Sequence, residues 1–551
     1  MNRKVLPRWL KILSVTIAIA LVSLLAFLIG LGWFVKRQML ESGGALPASM
    51  AAYDVRHYDL AVRVDPMEQS IDGQSTVTVI AREPVEVFEI NLDSRLEVMS
   101  VKSAGVSCTF RHTGGVIAVE PREHWAVGER HEVTIAYGGK PKVALRPPWI
   151  DGFVWSETPS GAPWVGVTGQ GDGGDNWWPC KDHPSDEPDE GMDIALTVPS
   201  DLVGLSNGRM MDRIDNGNGT VTTTWRVSYP INNYLVTVNI APYVAIEERY
   251  HGVDGSLDEP LVFWALPEYE QYARNTWKQM PRILEVLGRR FGEYPFFEDK
   301  FAVVHAPYYG MEHQTLVAYG ALFTDNDFGF DDLLLHEVAH EWWGNKITVS
   351  DWADFWIQEG FATYAEAIYV LDTLGEARYL DYMARLRQRI DNLHPVVQGE
   401  DLTSSQAYSS EIYFKGAWVL HSLRWLIGDE DFFTVIWRFA NDPEFAFGLV
   451  SSQALAELVL EVSGREIGWF WERYLYRAEE PKWRLKRRLE GDRDRVTFSW
   501  DDSDFEMPLP LRVAGIERRV EMTGGRASIL VDRGATVEVD PLGYVLARPV
   551  D

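Results

Sequence analysis

His336-Glu337-Val338-Ala339-His340 is the stretch whose reading decides the fold. On a helix, residues four apart lie on one face, so both imidazoles reach one metal ion. Glu337 stands a quarter turn round, placed to act on water beside the metal and not to bind the metal itself. Asp331-Asp332 ahead of Leu333-Leu334-Leu335 reads as the start of that helix. Two histidines at this spacing also occur as plain packing or surface residues, and the motif turns up by chance. A third ligand decides the matter, because catalytic zinc commonly takes three protein ligands and leaves one position open. Glu359, in Trp356-Ile357-Gln358-Glu359-Gly360-Phe361, follows His340 after 18 intervening residues. Phe361, Tyr364, Ala365 and Ile368 around it have helical spacing, so a second helix packed on the first would aim Glu359 at the metal. A solvent-facing glutamate fits these apolar neighbours poorly, and a metal removes the cost of burying a carboxylate.

Outward from this centre the period of the apolar residues changes twice. From Tyr53 to Val244 it is that of strands, as in Tyr58-Asp59-Leu60-Ala61-Val62-Arg63-Val64 and Gln74-Ser75-Thr76-Val77-Thr78-Val79. Gly, Asn and Pro punctuate this part, for example at Asn216-Gly217-Asn218-Gly219. From Glu268 to Tyr476 helical spacing dominates, beginning with Trp277, Met280, Ile283, Leu284 and Leu287. After Pro481 alternation returns, as in Ala527-Ser528-Ile529-Leu530-Val531. The expected divisions are 1–37 as a cytoplasmic tip and anchor, 38–52 as a linker, 53–252 as an all-β domain, 253–480 as the catalytic domain and 481–551 as a small β domain.

The chain has 551 residues, too many for one ordinary core. Its 46% hydrophobic content and 22 Trp and 22 Tyr exclude a disordered protein. A net charge of −29 excludes nucleic acid as a partner. Two cysteines, Cys108 and Cys180, exclude a disulfide scaffold and a four-thiolate zinc site; whether they pair is left open. Residues 12–34 carry no charge, with Arg3, Lys4, Arg8 and Lys11 before them and Lys36 and Arg37 after. This predicts one transmembrane helix in a lipid bilayer, a signal-anchor with the N-terminus cytoplasmic and the catalytic part extracytoplasmic.

The sequence closely resembles the M1 family of zinc aminopeptidases, the gluzincins that include aminopeptidase N and leukotriene A4 hydrolase. His336 to Asn345 matches the first zinc block and Trp356 to Tyr364 the second. Pro179-Cys180-Lys181-Asp182-His183-Pro184 and Ser206-Asn207-Gly208 match blocks of the domain before it. The resemblance implies a saddle-like N-terminal β domain, a thermolysin-like, mostly helical catalytic domain and a small C-terminal β-sandwich, a multidomain α+β architecture. It implies one Zn2+ held by His336, His340 and Glu359, with Glu337 as the general base.

Other roles come from the resemblance alone. Tyr413, in Ile412-Tyr413-Phe414-Lys415-Gly416, takes the place of the catalytic tyrosine. Gly310-Met311-Glu312 matches the substrate-binding block, with Glu312 as the carboxylate that holds a peptide's free α-amine. Tyr309 and His313 depart from that block, where the family has glycine and asparagine. Gln170 stands where relatives place a glutamine lining the same subsite. The implied function is a membrane-anchored zinc aminopeptidase acting on peptides with a free N-terminus. Its rivals are a zinc endopeptidase or a hydrolase of a non-peptide substrate, and a non-enzymatic membrane-tethered binding protein of the same fold. The small β domain is expected to end the chain where many relatives carry a long helical domain. That leaves the site open, or covered by a partner subunit in a homo-oligomer.

Overall fold

Alternation along Tyr53–Asp65 buries Leu60, Val62 and Val64 and turns the residues between them outward. That strand lies at the centre of an eight-stranded sheet, antiparallel to Ser70–Ala81 and parallel to Met192–Pro199. A four-stranded sheet (Val203–Ser206, Val238–Ala241, Pro163–Thr168, Gly152–Glu157) faces it. At Gly204 the two layers touch: a Cβ there would lie 3.0–3.2 Å from the side chains of Leu196 and Val198. The result is a β-sandwich. The computed structural model describes residues 41–320 and 322–550, and Ser42–Asp551 form one compact body.

A five-stranded sheet follows, in the order Val244–Tyr250, Glu259–Ala265, Phe301–His305, Val317–Tyr319 and Gly310–Met311. Two of its pairings are parallel, and every residue of Phe301–His305 is buried. A strand covered on both faces has no alternation, so this sheet does not announce itself within a stretch of otherwise helical spacing. Among the described residues the helices of eight residues or more are α1 (Glu270–Trp277), α2 (Met280–Phe291), α3 (Asp332–Ala339), α4 (Trp356–Leu374), α5 (Glu376–Arg387), α6 (Ser410–Ile427), α7 (Asp429–Asn441), α8 (Ser452–Ser463) and α9 (Gly468–Leu475). Beyond them a four-stranded and a three-stranded sheet enclose Val496, Phe498, Trp500, Leu509 and Leu511, the C-terminal β domain. Cys108 and Cys180 are both free, and Cys180 is buried.

The expected membrane anchor needs correction. Among the described residues no helix is long and apolar enough to cross a membrane. The two long ones, α4 and α6, carry three charges each (Glu359, Glu366 and Asp372; Glu411, Lys415 and Arg424) and bury most of their length inside the protein. Residues 12–34, on which the anchor was placed, lie outside the described residues. The transmembrane helix, the signal-anchor, the lipid bilayer as a partner and the single-pass placement thus find no support among the described residues.

Candidate metal and catalytic site

Asp331 caps α3, its side chain accepting from the Leu334 N–H at 3.1 Å and from the Tyr319 hydroxyl at 2.5 Å. The helix start is thus tied to the five-stranded sheet. One turn on, the Nε2 atoms of His336 and His340 stand 3.2 Å apart. From α4, the Glu359 Oε2 stands 3.4 Å from each of them. Donor atoms about 2.0–2.1 Å from a tetrahedral zinc are separated by about 3.3–3.4 Å, so this triangle fits one face of a zinc tetrahedron, and two imidazoles with a carboxylate suit the metal. The remaining ring nitrogens are fixed as well. His336 Nδ1 meets the Glu366 Oε1 at 2.8 Å and His340 Nδ1 meets the Trp343 carbonyl at 2.8 Å. Such outer bonds set the tautomer and aim Nε2 inward. Glu366 also accepts from the Tyr382 hydroxyl. Burial opposes ionisation of Glu359, but His340 and His336 outweigh it and hold the carboxyl well below its usual range.

Glu337 is 7% exposed, and burial pushes its carboxyl up to about 8 against the opposing pull of His336 and His340. Its room depends on Gly310. A Cβ at Gly310 would lie 2.5 Å from the Glu337 Oε1 and 2.9 Å from the Leu333 Cδ1. Gly310–Met311 pairs with Val317–Tyr319, with Met311 buried. That pairing presents Glu312, itself 2% exposed, to the metal cluster. The Gln170 Nε2 donates to the Glu312 Oε1 at 2.9 Å and to the Glu359 Oε1 at 3.0 Å, one amide bridging the amine-binding candidate and the metal ligand. The turn after Gln170 is held by Asp151, whose Oδ2 accepts from the Gly171 and Asp172 N–H groups at 2.5 and 3.0 Å.

Tyr413 comes from α6, whose approach to α4 rests on two glycines. A Cβ on Gly360 would lie 3.1 Å from the Gly416 Cα, and one on Gly416 would lie 3.1 Å from the Gly360 Cα. With the helices this close, the Tyr413 ring stacks on His336 at 6.1 Å and 24°. Its hydroxyl reaches the Tyr408 hydroxyl at 3.5 Å. Lys415 turns the other way, donating to the carbonyls of Arg477 and Ala478.

All nine sequence-predicted residues, among them Gln170, Gly310, Met311 and Glu312, line one cavity of about 410 Å³. The two departures from the substrate-binding block separate. Tyr309 lines the cavity, 53% exposed and stacked on Trp149 at 6.4 Å. His313 is 1% exposed with both ring nitrogens unpaired, and burial pushes its pKa down to about 3, so the ring is neutral. Sequence reasoning missed Glu366, Tyr382, Tyr408 and Trp149. Glu366 had a signal, because seven residues after Glu359 it lies two turns along the same helix face. The others had none, since they come from separate helices and loops.

Comparison with known proteins agrees with this geometry. Residues 55–235 match the Peptidase M1 N-terminal domain and residues 278–474 the Peptidase family M1 domain. Aminopeptidase B of Mus musculus is 22% identical over 462 residues, 76% of this chain and 67% of the relative. The solved structure of an M1 zinc metallopeptidase variant from Deinococcus radiodurans bound to a Tyr-Ser-Ala substrate is 25% identical, with a TM-score of 0.66. That alignment covers 80% of this chain and 96% of the other. Two matched domains in the right order, and a metal cluster made of the residues their motifs require, place the chain in peptidase family M1, as a zinc metalloaminopeptidase.

Proposed function

We propose that the protein removes N-terminal residues from peptides, with Glu312 measuring one residue from the free amine to the bond that is cut. The observation that carries this reading is the Gln170 bridge: a buried carboxylate tied through one amide to a metal ligand. An α-ammonium paired with Glu312 gives a charge-assisted bond and satisfies a carboxylate that burial otherwise pushes toward its neutral form. Zinc, when bound by His336, His340 and Glu359, lowers the pKa of water and polarises a carbonyl.

The residues of the chain do the rest. Glu337 takes a proton from the attacking water on its carboxylate and passes it to the departing amine nitrogen. The Tyr413 hydroxyl donates to the oxygen that gains charge as the carbonyl becomes tetrahedral. The stacking of its ring on His336 supports this role by keeping Tyr413 beside a metal ligand. Gln170 fixes the Glu312 carboxylate, and Gly310 keeps space beside Glu337. The names of the relatives, aminopeptidases among them, support the same chemistry.

The test uses the full-length, zinc-loaded protein and a panel of free-amino aminoacyl amides, with N-acetylated partners alongside. Cleavage of the free-amino set, with at most a slow reaction of the acetylated set, lost on chelation and restored by zinc, is expected. Equal cleavage of both sets would make the enzyme an endopeptidase and remove Glu312 from its role.

A further inference from the structure

Fixed positive charge is scarce around the cleft of this strongly acidic chain. Among the described residues lining the cavity, only Arg385 and Arg389 supply it. Arg385 lies in the last turn of α5, and Arg389 lies one turn beyond, its N–H donating to the Leu386 carbonyl at 3.0 Å. The two differ in what already holds them. Arg385 meets Asp327 at 2.7 Å, with the two side chains 48% and 84% exposed, a pair of little strength. Arg389 has no carboxylate within ion-pair distance among the described residues. Its guanidinium carbon lies 4.0 Å from the centroid of the Phe414 ring, the residue next to Tyr413. Stacking of this kind flattens the guanidinium on the wall and leaves its outer N–H groups without a partner.

The hydrogen bonds around the metal ligands order the groups along the cleft. Gln170 and Glu312 join the cluster through Glu359. Glu366 and Tyr382 join it through His336. Tyr382, Arg385 and Arg389 belong to the same helix and the turn that continues it. A peptide whose amine sits at Glu312 therefore crosses the metal and leaves past His336, toward α5. Asp332 also lines this cavity and would oppose an anion, and Arg385 is shared with Asp327, so Arg389 is the stronger donor.

Resting on the aminopeptidase reading, we infer that Arg389, assisted by Arg385, forms an anion subsite for the departing part of the peptide. It takes a carboxylate: the C-terminus of a short peptide, or an Asp or Glu side chain after the scissile bond. A guanidinium meeting a carboxylate in this partly open setting favours such substrates on the order of tenfold. The surrounding negative charge repels a carboxylate elsewhere, which makes this spot selective as well as attractive.

The experiment measures kcat/KM of the full-length, zinc-loaded protein on peptides of two to four residues sharing one first residue. Each length is made as the free acid, as the C-terminal amide, and as amides carrying Asp or Asn after the scissile bond. The expected result is a preference of about tenfold for acid over amide at one length, or for Asp over Asn, shrinking at high salt. The first arm identifies the C-terminus and the second a side chain. Arg389→Ala should bring the preferred ratio close to one, Arg389→Lys should keep part of it, and Arg389→Glu should reverse it. Ratios near one in the wild type at every length, or a preference that survives Arg389→Glu, would overturn the subsite. Equal cleavage of N-acetylated peptides would instead overturn the aminopeptidase reading beneath it, so the two failures are distinct.

Discussion

The two flanks of the metal triad are built differently. On the Glu359 flank, Gln170 and Glu312 are buried, and one side-chain amide ties both carboxylates at 2.9 and 3.0 Å. On the His336 flank, Glu366 and Tyr382 form a short buried link, and beyond it the wall is Tyr413, Phe414 and two exposed arginines. A closed, hydrogen-bonded flank suits a fixed group such as an α-ammonium, whereas an open flank accommodates leaving groups of many shapes. The contrast teaches how one cavity can be strict about one end of a peptide and tolerant of the other.

The largest expected effect comes from the residue between the flanks. Glu337→Gln should keep zinc at full occupancy and lower kcat by about 10³-fold or more, read by metal analysis and turnover on the same sample. Near-normal turnover would break the contrast outright, since neither flank would then frame the reacting water. On the proposed mechanism Tyr413→Phe removes the hydroxyl that donates to the oxyanion, and should lower kcat by about 10²-fold. A change confined to KM would move Tyr413 from the reaction to binding. Glu312→Ala should cost about 10²-fold in kcat/KM on free-amino substrates while leaving the slow reaction of N-acetylated ones nearly as it was. If both fall together, the closed flank is a structural prop and no ruler.

The metal site and its closed flank were only half legible in the sequence. His336, His340 and Glu359 followed from helical spacing and zinc chemistry, because helix geometry fixes where residues four apart must point. Gln170 and Glu312 came from family resemblance alone, since no local period links a loop glutamine to a glutamate 142 residues later. Tyr309 and His313 sit around a two-residue strand, and nothing in their order says that one faces the cavity and the other the core. The alternating strands of the sandwich were readable for the reason that the parallel strand Phe301–His305 was not: burial on one face leaves a period, and burial on both erases it. Membrane crossing was read from residues 12–34, and no described helix supports it.

Smaller effects sharpen the comparison from the open flank. Glu366→Ala leaves all three metal ligands in place but frees His336 Nδ1, and should weaken zinc binding by about 10–100-fold in competition with a chelator. Restoring zinc should then return much of the activity, whereas a lasting loss would give Glu366 a part in the reaction itself. Gly416→Ala tests the support beneath the same flank. Its methyl would press on the Gly360 backbone at 3.1 Å, where a helix axis and not a flexible side chain must yield. A destabilisation of about 1–3 kcal/mol follows from such overpacking, seen as a lower Tm. Because α6 carries Tyr413 and α4 carries Glu359, the shift should reach kcat before it reaches zinc affinity, as the three metal ligands come from α3, its C-cap His340 and α4, and none from α6. A loss of zinc with kcat per bound metal intact would show the reverse, that the closeness of the two helices serves the ligands and leaves the tyrosine indifferent to it.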